Sequence, residues 1–170
     1  MAVEGITQTT QYISFKLDEE EFALDISRVK EVLDFIRPTR VPQTPEFMKG
    51  VINLRGAVVP VVDLKKKFNM DKTEETVNTR IIIGEVNIEN KATVIGALAD
   101  SVHEVFDLDP EDIEPAPSIG TNLNTAFIKG MGKRDETFTM ILDIDRVFSF
   151  EEIELMASAN RDNETDKKAE

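Results

Sequence analysis

An internal duplication constrains the fold of this chain more than any other feature. Residues 47–68 align without a gap on residues 127–148, because both segments read Phe-x-Lys-Gly, a turn, an apolar run, an aspartate and a phenylalanine. Upstream, residues 29–34 (Val-Lys-Glu-Val-Leu-Asp) are matched by residues 102–107 (Val-His-Glu-Val-Phe-Asp). Blocks that recur in the same order predict two similar lobes. Asp63 and Asp143 are predicted to occupy equivalent positions, each capping a short helical turn.

The periodicity within each lobe is typical of strands. Apolar and polar residues alternate in residues 12–17 and 137–144, which predicts half-buried strands. The run 57–62 is apolar on both faces and predicts a strand that is covered on both sides. Pro60 in this run lacks an N–H donor, which predicts an edge or a bulge. Many short strands separated by turns favour small barrels over a parallel sheet.

Helical patterns are few and short. A capping residue precedes a proline at Thr44-Pro45 and at Asp109-Pro110, which predicts two short helices. A helix near the carboxyl end is predicted by a capping box formed by Ser149 and Glu152. The apolar face of that helix is predicted to consist of Phe150, Ile153 and Met156. Residues 159–170 are polar and are predicted to form a disordered tail.

Composition disfavours several classes of function. The formal net charge of −13 repels nucleic-acid phosphates and anionic lipid surfaces. The absence of cysteine and of a basic, apolar amino terminus predicts a cytoplasmic protein without disulfides. His103 is the single histidine, so we expect a surface residue rather than a catalytic or zinc-binding one. We expect no metal and no cofactor.

The turn Asn53-Leu54-Arg55-Gly56 is harder to explain by structure alone. Arg55 lies beside apolar Leu54 and Ala57, and an arginine next to apolar side chains is a common interface anchor. The alternative is a plain turn whose arginine pairs with a nearby carboxylate. Two further function classes stay open: an enzyme with acidic residues in a groove between the lobes, which requires a strongly shifted carboxylate, and an oligonucleotide-binding barrel, which requires a basic groove with exposed aromatic rings.

From about Tyr12 to Met156 the chain resembles the CheW family of chemotaxis coupling proteins. The resemblance rests on residues 22–26 (Phe-Ala-Leu-Asp-Ile), 29–32 (Val-Lys-Glu-Val), 41–45 (Val-Pro-Gln-Thr-Pro), 47–56 (Phe-Met-Lys-Gly-Val-Ile-Asn-Leu-Arg-Gly), 58–64 (Val-Val-Pro-Val-Val-Asp-Leu), 94–96 (Val-Ile-Gly), 100–102 (Asp-Ser-Val) and 113–117 (Ile-Glu-Pro-Ala-Pro). Two positions depart from the family pattern: Asp18 stands where a glycine is usual, and Lys65 where an arginine is usual.

The resemblance implies a mainly all-β fold of two SH3-like five-stranded β-barrel lobes, with short helices and a C-terminal helix. One CheW-like domain is expected over residues 12–156, with lobes at about 12–78 and 79–148, and exchange of strands between the lobes is left open. The implied function is a non-catalytic adaptor that couples methyl-accepting chemoreceptors to the chemotaxis histidine kinase, recruited to membrane receptor clusters through its partners. The alternative is a paralogous adaptor of a non-flagellar motility system or of another two-component pathway.

The resemblance also implies two sets of site residues. The receptor is expected to contact Val29, Glu31 and Arg55, in a groove between the lobes. The SH3-like regulatory domain of the kinase is expected to contact Gly50, Leu54, Gly56, Ala57 and Val58, unless the two glycines serve only the fold. Glu31 and Arg55 are predicted to face each other across neighbouring strands, either to shape the groove or to touch the receptor. Because Glu31 recurs as Glu104 whereas Arg55 is matched by Asp135, Arg55 is predicted to be the more specific residue.

Overall fold

The structure, a computed structural model, describes residues 6–116 and 127–157, and these form two curled antiparallel-rich sheets. The six-stranded sheet has the order β8-β1-β2-β11-β10-β9, with β1 (Thr10–Leu17), β2 (Glu20–Asp25), β8 (Ser101–Leu108), β9 (Ile113–Glu114), β10 (Ile128–Arg134) and β11 (Thr137–Leu142). The five-stranded sheet has the order β3-β6-β7-β5-β4, with β3 (Val29–Asp34), β4 (Met48–Leu54), β5 (Ala57–Asp63), β6 (Arg80–Ile88) and β7 (Lys91–Ala99). The predicted fold class is confirmed, and the sixth strand is the two-residue β9.

The sheets do not follow the two copies of the repeat. Strands β1 and β2 come from the first copy but pair with β8 and β11 of the second. In return, β6 and β7 of the second copy complete the sheet that contains β3, β4 and β5. Each sheet therefore contains one parallel contact, β2 with β11 and β5 with β7, and both contacts join strands of different copies.

The predicted equivalence of Asp63 and Asp143 is confirmed. The backbone N–H of Asp63 donates to the carbonyl of Phe47 at 2.7 Å, and that of Asp143 donates to Phe127 at 2.8 Å. Each aspartate side chain then accepts a hydrogen bond from the backbone N–H two residues further on, at 3.1 and 3.2 Å. These bonds cap two one-turn helices, α1 (Leu64–Lys67) and α2 (Ile144–Val147).

Three hydrophobic clusters fill the molecule. The central cluster contains Phe15, Phe47 and Ile153 and draws residues from both sheets. A second cluster, with Tyr12 and Ile141, lies on one face of the six-stranded sheet, and a third, with Ile52, Val61 and Leu98 among its members, lies on one face of the five-stranded sheet. Both faces of each sheet are therefore covered along much of their length, which small barrels packed side by side require.

This packing corrects the predicted alternation. In β1, Tyr12 and Ser14 are as buried as Phe15, because a cluster lies on each side of the strand. In β11, Thr139 is fully buried whereas Phe138 is 46% exposed. Thr139 shares a face with Ile141, inside the six-stranded sheet, and Phe138 lies close to the hairpin end, beyond the central cluster.

Pro60 lies in β5, which has a neighbour on each side, yet its surroundings are those of a local edge. Its partner Val51 exchanges both backbone hydrogen bonds with Thr39, at 2.8 Å each, so the Pro60 nitrogen faces away from β4. Pairing of β5 with β7 begins only at Val61. The missing N–H therefore leaves no strand unsatisfied.

The predicted helix at Thr44-Pro45 is wrong. The chain makes a single turn there, in which the Met48 N–H donates to the Pro45 carbonyl at 3.0 Å and β4 begins at once. At Asp109-Pro110 a 3₁₀ turn forms over Pro110–Asp112, but the Asp109 carboxylate accepts a hydrogen bond from Thr9 instead of capping it.

A C-terminal helix, α3, covers residues 150–157, and its predicted capping box is confirmed. The Ser149 N–H donates to Glu152 at 2.8 Å, and the Glu152 N–H donates to the Ser149 hydroxyl at 3.1 Å. Ile153 and Met156 are buried as predicted, whereas Phe150 is 43% exposed because it begins the first turn. Residues 159–170 lie outside the described residues. Within the described ranges, no helix is long and apolar enough to cross a membrane.

Candidate interaction site

The turn between β4 and β5 consists of Arg55 and Gly56, whose φ angles are 51° and 88°. Positive φ at both central residues defines the two-residue hairpin turn that matches strand twist. The Asn53 side-chain oxygen accepts a hydrogen bond from the Gly56 N–H at 2.8 Å and fixes this turn. The Arg55 side chain is consequently held at the tip of the hairpin, where it is 70% exposed.

Arg55 forms a two-pronged ion pair with Glu31. The Arg55 Nη1 donates to Glu31 Oε1 at 3.2 Å, and Nη2 contacts Oε2. These hydrogen bonds lower the pKa of Glu31 and raise that of Arg55. The prediction that the two face each other is confirmed, but they do not lie on neighbouring strands. Strands β3 and β4 are the opposite edges of the five-stranded sheet, so the ion pair joins the two edges as the sheet curls.

The six-stranded sheet contains a similar ion pair, which sequence comparison missed. Arg134 at the end of β10 donates to Glu21 at 2.9 Å and contacts Glu104 on β8, near the opposite edge of that sheet. Glu104 matches Glu31, but Arg134 is one position short of the match to Arg55. The two arginines differ in access, because Arg134 is 24% exposed and lies 3.8 Å from the ring centroid of Phe106.

An open cleft of about 540 Å³ lies beside Arg55. Strands β5 and β7 pair only from Val61 to Asp63, so the strands separate towards their other ends and leave a wedge. Its lining is mainly apolar and includes Leu54, Ala57, Pro60, Ile83, Val94 and Met156. Glu31 and Arg55 stand at its rim.

The structure brings most of the predicted site residues to this cleft. Leu54 is half-buried, Gly56 and Ala57 are exposed, and Val58 is buried in the central cluster while it also lines the cleft. Gly56 stands on the turn beside the cleft without lining it, and Val29 and Gly50 lie elsewhere.

Val29 and Gly50 face other surroundings. Val29 is half-buried and packs against the central cluster. Gly50 is buried with a φ of 147°, and an added Cβ would lie 2.2 Å from the Thr39 carbonyl oxygen. Gly50 is therefore required by the approach of residue 39 to β4.

Besides Glu31, two carboxyl groups of the described residues have a clearly shifted pKa, Asp145 and Glu152, and both lie in ion pairs. Burial raises the pKa of Asp145 and Glu152, but hydrogen bonds from Arg28 and the Asn87 N–H to Asp145, and from Lys67 and the Ser149 N–H to Glu152, together with the nearby positive charges, lower the pKa of both overall. His103 is exposed on β8, where a ring nitrogen lies 2.9 Å from the Ser101 hydroxyl. Across residues 6–116 and 127–157, no three His, Asp or Glu side chains gather as metal ligands would.

Comparison with known proteins agrees with this geometry. The family model described as "CheW-like domain" matches residues 11–152. The chain is 36% identical over 152 residues to chemotaxis protein CheW of Klebsiella aerogenes, with 89% of each chain covered. It is 33% identical to chemotaxis protein CheW of Bacillus subtilis, covering 82% of this chain and 86% of the relative. The crystal structure of the scaffolding protein TtCheW from Thermoanaerobacter tengcongensis superposes with a TM-score of 0.73 at 38% identity, covering 84% of this chain and 94% of that one. The chain therefore belongs to the CheW-like family and is a chemotaxis scaffold.

Proposed function

We propose that this scaffold joins chemoreceptors to a chemotaxis histidine kinase through neighbouring surfaces of its five-stranded sheet. The observation that carries the proposal is the exposed Arg55, which stands on a rigid hairpin tip beside an open apolar cleft. A charged anchor next to apolar surface is typical of protein interfaces. Recruitment to membrane receptor clusters follows from binding to the receptor and needs no membrane segment in this chain.

The receptor surface consists of Val29, Glu31 and Arg55. A helical receptor tip with an apolar stripe and flanking charges can lie in a groove whose rim carries an apolar residue and two charged ones. The ion pair leaves Arg55 free to exchange partners, because solvent screens an exposed pair and such pairs contribute little to stability. Val29 has a supporting role, since it already packs against the central cluster.

The kinase surface consists of Leu54, Gly56 and Ala57 at the hairpin tip, with Val58 next to them, where it lines the cleft from the central cluster. Small barrels dock through such tips, and Ala57 is exposed while Leu54 is half-buried. Gly50 belongs to this set only indirectly, because it is buried and supports β4.

The test is Arg55→Glu in a reconstituted mixture of kinase and receptor-containing vesicles. We expect loss of receptor-dependent kinase activation with an unchanged thermal unfolding midpoint. Arg37→Glu is the matched control, because Arg37 also forms an exposed pair with a glutamate, Glu75, at 3.7 Å, away from the cleft. Normal activation by folded Arg55→Glu would contradict the receptor surface.

The double swap Glu31→Arg with Arg55→Glu separates two roles of the pair. If the swap restores activation, the pair acts by shaping the rim of the cleft. If activation stays lost, Arg55 itself binds the receptor, which is our expectation given its 70% exposure.

One comparison favours a second candidate function. The chain is 29% identical over 107 residues to protein FrzA of Myxococcus xanthus, covering 63% of this chain and 64% of that relative. An adaptor of a paralogous pathway has the same fold and the same kind of tip. Pull-down with each histidine kinase of the source cell distinguishes the two, because only the cognate regulatory domain should be retained.

A further inference from the structure

An ion pair between the two copies lies at the start of β3. Arg28 ends a 3₁₀ turn (Ile26–Arg28) directly before this strand, and its Nη1 and Nη2 donate to the two carboxylate oxygens of Asp145 at 3.0 and 2.5 Å. Asp145 belongs to α2 in the second copy, and it also accepts a hydrogen bond from the Asn87 N–H at 2.7 Å. Arg28 donates in addition to the Glu85 carbonyl at 2.9 Å. Asp145 thus connects the beginning of β3 to the end of β6.

Strand β3 depends on this connection because its own pairing is weak at that end. Among the strands that the structure describes, it is an edge strand whose single partner is β6. Val29 pairs with Gly84 and Glu31 with Ile83, so the register shifts at Lys30. A bulge of this kind redirects the side chains that follow it. The direction of Glu31 therefore depends on where the strand starts, and Arg28 fixes that point.

The contact is tight on the backbone side as well. A Cβ added to Gly84 would lie 3.0 Å from the Arg28 carbonyl oxygen. The side chains of Arg28 and Asp145 are 26% and 31% exposed, so the pair is partly shielded from solvent. Such a pair holds its geometry better than the exposed pairs on the surface.

We propose that Asp145 is a positioning residue for the receptor surface: through Arg28 it holds the start of β3, and with it Val29 and Glu31. The inference rests on the proposed function, because it takes Val29 and Glu31 to be part of the receptor surface. Asp145 itself is assigned no contact with any partner. It places control of the receptor surface in α2, a helix of the other copy.

The repeat supplies a matched control. Lys65 occupies the position in α1 that Asp145 occupies in α2, and it pairs at 3.2 Å with Asp100, directly before β8. Lys65 contacts Asp18 as well. The two positions at which the chain departs from the family pattern, Asp18 and Lys65, are therefore in contact with each other, next to this second inter-copy ion pair of Lys65 with Asp100. In this pair the helix residue, Lys65, carries the positive charge, whereas in the first pair the helix residue, Asp145, carries the negative one. The second pair also lies before β8 rather than before β3.

The experiment compares Asp145→Asn with Asp100→Asn in the full chain, well below the unfolding temperature. Affinities are measured for a receptor signalling-tip fragment and for the kinase regulatory domain. We expect Asp145→Asn to weaken receptor binding about tenfold and to leave the kinase affinity within twofold of the parent value. The loss should be selective because Asp145 is coupled to the start of β3 through its contact with Arg28. Asp100→Asn should leave both affinities within twofold. Asp145→Glu, which retains the carboxylate, should restore most of the receptor affinity.

Unchanged receptor binding by Asp145→Asn, an equal loss for receptor and kinase, or the same loss in Asp100→Asn overturns the inference. Arg28→Lys retains the charge but cannot make the paired hydrogen bonds, and it gives the same comparison if Asp145→Asn does not fold. The proposed function fails separately, when Arg55→Glu leaves receptor binding intact. If Arg55→Glu disrupts binding and Asp145→Asn does not, only the present inference is wrong.

Discussion

Arg55 and Asp135 occupy matching positions in the hairpin turns of the two copies, and their φ angles are 51° and 54°. Left-handed backbone is uncommon outside glycine and asparagine, so the turn itself gives no reason to place an arginine there. The turn needs a particular backbone, whereas the side chain is free to serve contacts outside it. This separation explains why a charge reversal at residue 55 is expected to spare the fold.

Thr139 is the residue at which a substitution should stabilise the protein. Its hydroxyl is fully buried in the six-stranded sheet and has no hydrogen-bond partner among residues 6–116 and 127–157. Thr139→Val replaces this hydroxyl by a methyl group of similar size, and we expect the free energy of unfolding to rise by about 1 kcal/mol. Urea unfolding measures the change, with Thr137→Val at the exposed position two residues earlier as the control. A destabilised Thr139→Val protein would mean that the hydroxyl is hydrogen-bonded.

At the scale of elements, the β4–β5 hairpin combines a replaceable tip with a fixed base. Ala57 is exposed at the tip, whereas Val58 is 6% exposed and belongs to the central cluster. A charge at Val58 would therefore unfold the protein as readily as it would disturb an interface. Position 57 is the one that tests kinase binding.

We expect Ala57→Glu to weaken binding of the kinase regulatory domain at least tenfold, because a charge would be desolvated at the centre of the docked tip. The thermal unfolding midpoint should not change. Thr137→Glu is the control, since Thr137 begins β11 as Ala57 begins β5. Calorimetric titration measures the affinities, and equal binding by both variants would move the kinase surface elsewhere.

Sequence patterns predicted the local features of individual secondary-structure elements better than the contacts between distant elements. The capping box of Ser149 and the two aspartate caps depend on residues close in the chain, and all are present. The exposure of Phe138 and the pairing of Glu104 with Arg134 depend on which distant strands meet, and local periodicity carries no information on that. The family resemblance placed Gly50 on the kinase surface, whereas its close approach to Thr39 is non-local and is not visible in the sequence pattern.

At the scale of the whole molecule, the lowered pKa values predict how stability depends on pH. Burial raises the pKa of Glu152, but the hydrogen bonds from Lys67, at 2.7 Å, and from Ser149 together with the charge of Lys67 lower it below the usual value of 4.5. A carboxyl group with a lowered pKa in the folded state stabilises the protein above its unfolded pKa, and this contribution is lost as pH falls through the folded value. Asp145 acts in the same direction.

We therefore expect the free energy of unfolding to be nearly constant from about pH 7 to 5 and to fall below about pH 4.5. Lys67→Met should cost about 1 kcal/mol at pH 7, because Glu152 is left without its partner. The difference between this variant and the parent should shrink from pH 7 to pH 3, as Glu152 becomes protonated. Urea unfolding at both pH values measures it, and a pH-independent difference would mean that Lys67 acts through its contact with the Phe47 ring instead.

The exchange of strands between the two sheets has a consequence for the history of such a chain. A duplicated segment that folds by itself can be lost, copied or moved as an independent module. Here β1 and β2 are built into the sheet of the second copy, and β6 and β7 into that of the first. Neither copy retains a complete sheet when the other is removed, so neither copy can be lost without disrupting the fold of the other. The pair of barrels is the smallest unit that evolution or an experimenter can transplant.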